Sequence, residues 1–148
     1  MTAYISAEVL LVEDNQYDAE LTLRAFRKQG LVNKIFHATD GEDALDFLFC
    51  RGKYEARKNS AHVKVILLDL KLPKIHGLEV LKEIKSRPET SKIPVVVVSS
   101  SSEDPDIKKA YALGANSYVV KPVEFENFMK SLQNTGMYWL LVNHVPEK

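Results

Sequence analysis

The sequence of 148 residues has one cysteine, no excess of either charge and no long apolar run. Cys50 cannot form an internal disulfide, and the N-terminal stretch is too short and acidic for a secretion signal. No apolar stretch reaches membrane-spanning length. The 20 basic and 20 acidic residues cancel, which leaves no broad positive field for nucleic acid. We therefore expect a cytoplasmic protein with neither nucleic acid nor membrane as a partner.

Two families of binding motif are also missing. The six glycines form no Gly-x-Gly-x-x-Gly or P-loop pattern, which argues against a nucleotide site. The four histidines show no metal-ligand spacing, so we interpret them as ordinary surface or packing residues: His37, His62, His76 and His144.

Apolar stretches alternate with amphipathic segments along the whole chain. The stretches predict strands at 8–12, 34–38, 63–68, 95–98 and 117–120. Helical spacing predicts five helices between and after them, with Asp14 or Asn15 capping the first, Asp40 opening the second and Asp104 capping the fourth. The polar segment 51–62 is predicted to be a solvated loop or a frayed helical extension. Strands that alternate with helices predict a doubly wound α/β domain, a parallel sheet covered on both faces.

Polar groups follow four of the five predicted strands. Glu13 and Asp14 follow the first strand, Asp69 the third, Ser99 the fourth and Lys121 the fifth. In a doubly wound sheet, ligands bind beyond the carboxyl ends of the strands where strand order reverses. If the first and third strands are neighbours, three carboxylates converge there, and a hard divalent cation such as Mg²⁺ relieves their repulsion.

The same constellation suggests a nucleophile. With Lys121 as a second positive charge, an ionised Asp69 is placed to attack phosphorus and form an aspartyl phosphate, and Ser99 can donate a hydrogen bond to the added group. Taken singly, these residues are ordinary, since such an aspartate is usually a cap or a solvated loop residue. The prediction therefore rests on their joint placement.

On these residues the chain resembles a response-regulator receiver domain of two-component signalling, over roughly residues 6–133. The matching stretches agree in order, spacing and strand placement: LLVEDN (10–15), LLDLKLPKIHGLEVL (67–81), IPVVVVSSS (93–101) and GANSYVVKP (114–122). The resemblance implies a flavodoxin-like receiver fold, with five parallel strands in the order 2-1-3-4-5 and five flanking helices.

The resemblance also implies a role for each residue of the site. Asp69 is the implied phosphoacceptor, and Lys121 the basic residue that contacts the phosphoryl group. Glu13, Asp14, Asp69 and the backbone carbonyl of Lys71 are the implied ligands of Mg²⁺ or Mn²⁺. The chain departs from the commoner family pattern in two places, since Glu13 replaces an aspartate and Lys71 puts a cation beside the site.

Two further residues are implied to transmit the signal. Ser99 would be the switch hydroxyl and Tyr118 the switch aromatic residue. Output would follow from protein contacts, because only a short tail follows the receiver and no output domain is expected within residues 1–148. We thus expect one domain, with its core at about 6–133 and a C-terminal helical extension at 134–148.

Two segments resemble the stand-alone regulators that partner bacterial, especially cyanobacterial, phytochromes. They are RGKYEARKN (51–59) and MYWLLVNHVP (137–146). This second resemblance implies a sensor histidine kinase of the phytochrome type as the phosphoryl donor, and an unidentified protein downstream.

The ending also predicts self-association. A last helix covers the sheet with one apolar stripe, for which Phe125, Phe128, Leu132 and Trp139 have the right spacing. The remaining apolar residues of MYWLLV (137–142) fall on other faces. We expect a homodimer through this region and the face formed by the fourth helix, fifth strand and fifth helix. The alternative is that the chain folds back and buries them.

Three other functions share this fold. A flavodoxin-like cofactor protein needs a phosphate-cradling loop where this chain has the acidic EDNQYD. A phosphatase of the aspartyl-phosphate type needs an acid at position 71, where this chain has lysine. A binding module that works without phosphorylation stays open, although the intact acidic set favours phosphotransfer. Apart from self-catalysed phosphotransfer and autodephosphorylation, we expect no enzyme activity.

Overall fold

The computed structural model describes residues 8–28, 35–57 and 63–121, together with residues 124, 126, 127, 130 and 134. One sheet of five strands runs through the described ranges: β1 (Val9–Val12), β2 (Ile35–Ala38), β3 (Val65–Leu68), β4 (Val95–Ser99) and β5 (Ser117–Val120). Every neighbouring pair is parallel, and the order is β2-β1-β3-β4-β5. The predicted doubly wound fold and its strand order are confirmed.

The helices within the described ranges lie where the spacing predicted them. They are α1 (Gln16–Arg27), α2 (Gly41–Leu48), α3 (Gly77–Ser86) and α4 (Asp104–Ala112), with a 3₁₀ helix (Gly52–Arg57) after α2. Of the predicted fifth helix, residues 126, 127, 130 and 134 are described and are helical. The segment 137–142 lies outside the described residues. No helix in the part of the chain that the structure describes could cross a membrane.

The sheet separates two layers of core. Leu10 and Val12 of β1 pack in a cluster that includes residues of α2, α3 and α4. Val9 and Leu11 of the same strand pack in a second cluster, which contains Phe26 of α1. Side chains alternate between faces along a strand, so a strand covered on both faces must be apolar throughout. Polar groups are consequently pushed to the strand ends.

Short polar side chains fix the helix starts. The Asn15 side chain accepts a hydrogen bond from the Asp18 amide at the start of α1, and Asp40 does the same for the Asp43 amide in α2. At α4 the predicted cap is wrong by one residue, because Asp104 is already helical and Glu103 occupies the cap position. The Ser101 hydroxyl accepts from the Glu103 amide, so it orders the turn before the helix.

The described part of the polar segment after α2, residues 51–57, is mostly exposed and helical, in agreement with the helical alternative of the prediction, but two of its side chains are buried. Tyr54 and Arg57 of the 3₁₀ helix are buried. The Tyr54 ring meets the edges of two stacked rings, Phe36 and Phe47. The Arg57 guanidinium lies 3.7 Å from the Phe47 ring centroid and donates to the Phe47 carbonyl. Stacking on aromatic rings lets a charged side chain be buried, which a hydropathy pattern cannot reveal.

Candidate metal and phosphoryl site at the carboxyl edge of the sheet

The structure brings the predicted polar residues together at one edge of the sheet. Glu13 and Asp14 follow β1, and Asp69 follows its hydrogen-bonded neighbour β3. Carboxylate oxygens of these three residues lie within 4.8 Å of one another. Lys121 follows β5, and its amide donates to the carbonyl of Ser99 at the end of β4. The predicted convergence of strand ends is confirmed.

The Asp69 carboxylate is held on both of its oxygens. Its Oδ1 accepts from the Lys71 amide at 3.2 Å, and its Oδ2 accepts from Lys121 Nζ at 3.0 Å. The Asp69 amide donates to the Val12 carbonyl, which extends the pairing of β1 and β3 by one residue. The Lys71 side chain is exposed. The role of the Lys71 carbonyl as a ligand stays a prediction.

Gly77 explains why α3 can start against the tip of β3. A Cβ atom at this position would lie 2.4 Å from the Asp69 carbonyl oxygen and 2.4 Å from Leu70 Cα. The Gly77 amide also donates to the Leu70 carbonyl at 2.8 Å. Only glycine permits this close approach of two backbones, so Gly77 helps to fix the backbone that carries the Asp69 carboxylate.

Three carboxylates surround the ammonium group of Lys121. Its Nζ lies 2.8 Å from Glu13 Oε1, 2.8 Å from Asp18 Oδ2 and 3.0 Å from Asp69 Oδ2. Burial alone would lower the pKa of Lys121, but the hydrogen bonds to Asp18, Glu13 and Asp69 outweigh it and raise the pKa. Lys121 therefore stays a cation across the physiological range.

Glu13 is buried beside these charged groups, and its pKa is shifted as a result. The pKa of Glu13 is raised to about 7, chiefly by burial; the hydrogen bond to Lys121 opposes this rise and the neighbouring Asp69 carboxylate adds to it. When ionised, Glu13, Asp14, Asp18 and Asp69 set four negative charges against the one positive charge of Lys121. Hard oxygen donors in such excess, close together at the strand tips, fit a divalent cation.

Asp18 is the site residue that the sequence analysis missed. It lies in the first turn of α1, where an acid ordinarily bonds back to the amide of the cap residue. That amide, of Asn15, instead donates to Glu13 Oε2 at 3.1 Å. The sequence offers one signal, an acid one helical turn beyond the acidic pair, but it equally fits an ordinary cap.

The two predicted switch residues meet at Ser101. Ser99 is buried, and its Oγ accepts a hydrogen bond from the Ser101 amide at 3.1 Å. The half-buried Tyr118 donates its hydroxyl to the Ser101 carbonyl at 2.9 Å. The loop between β4 and α4 thus contacts both side chains through a single peptide segment.

The described histidines have packing or surface positions. His37 Nε2 lies 2.6 Å from the Glu13 backbone carbonyl, on the side of the acidic pair that faces β2. His76 caps α3, where its Nδ1 accepts from the Leu78 amide. His62 and His144 lie outside the described residues.

The chain is similar to known regulators over nearly its whole length. It is 39% identical over 138 residues to the probable methanogenesis regulatory protein FilR2 of Methanothrix harundinacea (93% of this chain, 86% of FilR2). It is 37% identical over 132 residues to the response regulator Rcp1 of Synechocystis sp. (89% of this chain, 88% of Rcp1). The Mn²⁺-bound crystal structure of Rcp1 matches with a TM-score of 0.73, covering 94% of this chain and 98% of that one.

A bacteriophytochrome regulator is also similar in structure. The structure of the bacteriophytochrome response regulator AtBRR matches with a TM-score of 0.80 and 48% identity, covering 92% of this chain and 96% of that one. The predicted likeness to regulators that partner phytochromes is confirmed. The family model of the response regulator receiver domain matches residues 9–133. The chain therefore belongs to the response regulator receiver domain family.

Proposed function

We propose that this chain accepts a phosphoryl group on Asp69 from a sensor histidine kinase of the phytochrome type and signals through phosphorylation-dependent protein contacts. One observation carries the proposal. The Asp69 carboxylate lies 3.0 Å from the Lys121 ammonium, and its oxygens lie within 4.8 Å of those of Glu13 and Asp14. We assign residues 1–148 to one receiver domain, with its core at about 6–133 and an extension at 134–148.

The chemistry follows from the charges around Asp69. One Asp69 oxygen attacks phosphorus while the bond from phosphorus to the donor's imidazole nitrogen breaks. Lys121 is close enough to pair with the negative charge that the phosphoryl group brings. Glu13, Asp14, Asp69 and the Lys71 carbonyl would hold Mg²⁺ or Mn²⁺, which when bound neutralises phosphoryl oxygens. Support for the ion comes from the oxygen-only donor set and from the Mn²⁺-bound Rcp1 structure.

The test of the acceptor uses a small acyl phosphate. The parent protein is incubated with acetyl phosphate and Mg²⁺, and phosphorylated protein is separated on a phosphate-affinity gel. Asp69→Asn should abolish the shifted band, as should excess chelator. Asp46→Asn is the matched control, because Asp46 is an aspartate on α2 that pairs with Arg51 away from the site. A band that survives in Asp69→Asn contradicts the assignment.

The phytochrome part of the proposal rests on the likeness to AtBRR, a bacteriophytochrome response regulator. The chain is also similar to FilR2, which is named as a methanogenesis regulatory protein, so the type of kinase has to be tested. Purified phytochrome-type and other histidine kinases are autophosphorylated and mixed with the chain for short times. We expect fastest transfer from a phytochrome-type kinase, with a rate that depends on red or far-red illumination. Faster transfer from a kinase without a phytochrome module would reject the pairing.

The proposed switch runs from Asp69 to Tyr118. Phosphorylation would draw the Ser99 hydroxyl toward the phosphoryl group, away from the Ser101 amide that it now contacts. The Ser101 carbonyl that holds Tyr118 would then shift, and the ring would turn inward. Ser99→Ala should permit phosphorylation but weaken its effect on partner binding. If phosphorylation changes partner binding equally in the variant and the parent, Ser99 does not have this role.

We also propose a homodimer formed through the C-terminal region and the face that includes α4 and β5. Tyr111 and Val120 are exposed on this face. They lie beside an open cleft of about 530 Å³, which is also lined by Ser117, Tyr118, Val119, Asn127, Lys130 and Asn134. Sedimentation equilibrium should show a dimer for the full chain and a weaker one for a version ending at Gly136. A full chain that stays monomeric at micromolar concentrations, phosphorylated or not, contradicts the dimer.

A further inference from the structure

Asp18 makes one of the two shortest contacts of the Lys121 ammonium, although the proposed phosphotransfer assigns it no role. Its Oδ2 lies 2.8 Å from Lys121 Nζ, the same distance as Glu13 Oε1 and closer than Asp69 Oδ2 at 3.0 Å. The Asp18 side chain is 31% exposed, whereas those of Glu13 and Asp69 are 4% and 6% exposed. Asp18 is therefore the most solvent-exposed of the three carboxylates that hold Lys121.

The local geometry of α1 presents the Asp18 carboxylate to Lys121. The Asp18 amide is bonded to the Asn15 side chain, which fixes the backbone of the first turn. The Asn15 amide, the usual target of an acid at this position, is bonded to Glu13 instead. Farther along α1, Ala19 and Phe26 are buried in the core, so the helix is anchored against the sheet.

We propose that Asp18 is a positioning residue that keeps the Lys121 ammonium from blocking the metal ligands. Lys121 and a divalent cation compete for the same oxygens, because Glu13 and Asp69 belong to the acidic cluster and also bond to Lys121. Asp18 gives Lys121 a partner outside the cluster. When a cation binds, Lys121 can release Glu13 and still stay beside Asp69 to receive the phosphoryl group. The inference rests on the proposed metal and acceptor site.

Removing Asp18 should therefore weaken metal binding by way of Lys121. In Asp18→Asn, Glu13 and Asp69 are the remaining anionic partners of Lys121 among the described residues, so we expect Mg²⁺ affinity to fall about fivefold, the range of a coupling between neighbouring charges. Loss of a nearby negative charge also weakens Mg²⁺ binding directly. A double-mutant cycle with Lys121→Met separates the two effects, because only the direct effect remains once Lys121 is gone.

The experiment is Mg²⁺ titration calorimetry on the full chain, with the parent, Asp18→Asn, Lys121→Met and the double variant. Glu20→Gln is the matched control for charge, since Glu20 is an exposed acid on α1 paired with Arg24 and Arg27. We expect the fivefold loss in the parent background and less than a twofold loss, similar to the control, in the Lys121→Met background. An equal loss in both backgrounds overturns the inference, as does no loss or no Mg²⁺ binding by the parent.

A kinetic readout separates positioning from a purely structural role. At saturating Mg²⁺ the loss of affinity no longer matters, but Lys121 has still lost a partner that positions it, so Asp18→Asn should accept phosphate from acetyl phosphate about tenfold more slowly. Asp18→Glu should recover part of that rate because it restores the anion. Circular dichroism checks that each variant is folded. A rate equal to the parent's contradicts the positioning role. If the parent itself is never phosphorylated, the proposed function fails, but the Mg²⁺ cycle still decides the role of Asp18.

Discussion

Lys121 and Lys85 lie at opposite ends of the parallel strands, and both are half-buried, but their hydrogen-bond partners differ in charge. Lys121, after β5, lies among the carboxylates of Glu13, Asp18 and Asp69. Lys85, on α3, reaches the amino ends of β4 and β5. There it donates to three neutral oxygens, the carbonyls of Ser91 and Ile93 and the side-chain oxygen of Asn116. Each ammonium has three oxygen partners, but only Lys121 has anionic ones.

The difference shows that partner charge, more than burial, decides what a partly buried lysine does. Burial lowers the pKa of Lys85, and its neutral partners do not reverse the shift. Burial acts the same way on Lys121, but its carboxylates raise the pKa overall. Lys85 has a structural role, because its ammonium group joins α3 to the segments that precede β4 and β5. Lys121 lies in an excess of negative charge, which fits the uptake of a divalent cation.

Replacement of Lys121 should have the largest effect, on the rate of phosphorylation. Lys121→Met should slow phosphorylation by acetyl phosphate roughly 100-fold, the usual cost of removing one group that stabilises transition-state charge. Mg²⁺ affinity should rise in the same variant, because the competitor for Glu13 and Asp69 is gone. Rates from phosphate-affinity gels and affinities from calorimetry measure the two effects. A phosphorylation rate in Lys121→Met equal to that of the parent would mean that Lys121, like Lys85, has no role in the chemistry.

Lys85→Met should change stability and leave the chemistry intact. Two backbone carbonyls lose a donor, while Asn116 Oδ1 keeps the Val95 amide. Unsatisfied polar groups cost about 1–3 kcal/mol each when fully buried, and these two carbonyls are only partly buried, so we expect a loss of about 2 kcal/mol in the free energy of unfolding. Urea denaturation measures the loss. A phosphorylation rate that falls with it would mean that Lys85 also serves the site.

Metal binding should depend on pH through Glu13. The pKa of Glu13 is raised from 4.5 to about 7, so a bound cation must displace its proton near neutrality. Mg²⁺ affinity should therefore fall about tenfold between pH 8 and pH 6, with a proton released on binding. Calorimetry in two buffers of different ionisation enthalpy measures the proton. Flat affinity over this window would contradict the raised pKa.

The same shift has a consequence for stability without metal. Because the folded-state pKa of Glu13 lies above its ordinary value, the folded protein binds more protons than the unfolded chain between about 4.5 and 7. The contribution of Glu13 to stability should thus decline as pH rises through this window. Urea denaturation in chelator should show this decline, and Glu13→Gln should reduce it. An unchanged pH slope in Glu13→Gln would contradict the assignment.

The smallest expected effect concerns the contact of Gly114 with Lys85. Gly114 has φ +108°, and a Cβ there would lie 2.9 Å from Lys85 Cγ. Gly52 is the matched control, since it has φ +56° but no atom within 4 Å of its Cβ position. A positive φ costs an L-residue about 1–2 kcal/mol, so Gly52→Ala shows that cost alone. Gly114→Ala should cost about 1 kcal/mol more, because φ +108° lies outside the left-handed region open to L-residues and because the added methyl group meets Lys85. Equal losses would mean that Lys85 yields freely to the added methyl group.

Parallel-strand geometry made much of the site predictable from sequence. Carboxyl ends of neighbouring strands meet at one edge, so Glu13, Asp69 and Lys121 could be grouped from the apolar runs that precede them. The Asp18 contact with Lys121 spans 103 positions. It depends on the Asn15 amide being bonded to Glu13 instead of to Asp18. Likewise, the Lys85 bond to Asn116 spans 31 positions. Such pairings follow from packing and side-chain conformation, which have no periodic signal in a sequence.

The most direct test of the central claim is to locate the phosphoryl group chemically. The chain is treated with acetyl phosphate and Mg²⁺, reduced with borohydride to convert any aspartyl phosphate to homoserine, digested and analysed by mass spectrometry. We expect conversion at Asp69, absent in chelator and at least tenfold weaker in Lys121→Met. Conversion at another aspartate, or at Asp69 without a divalent cation, would contradict the claim.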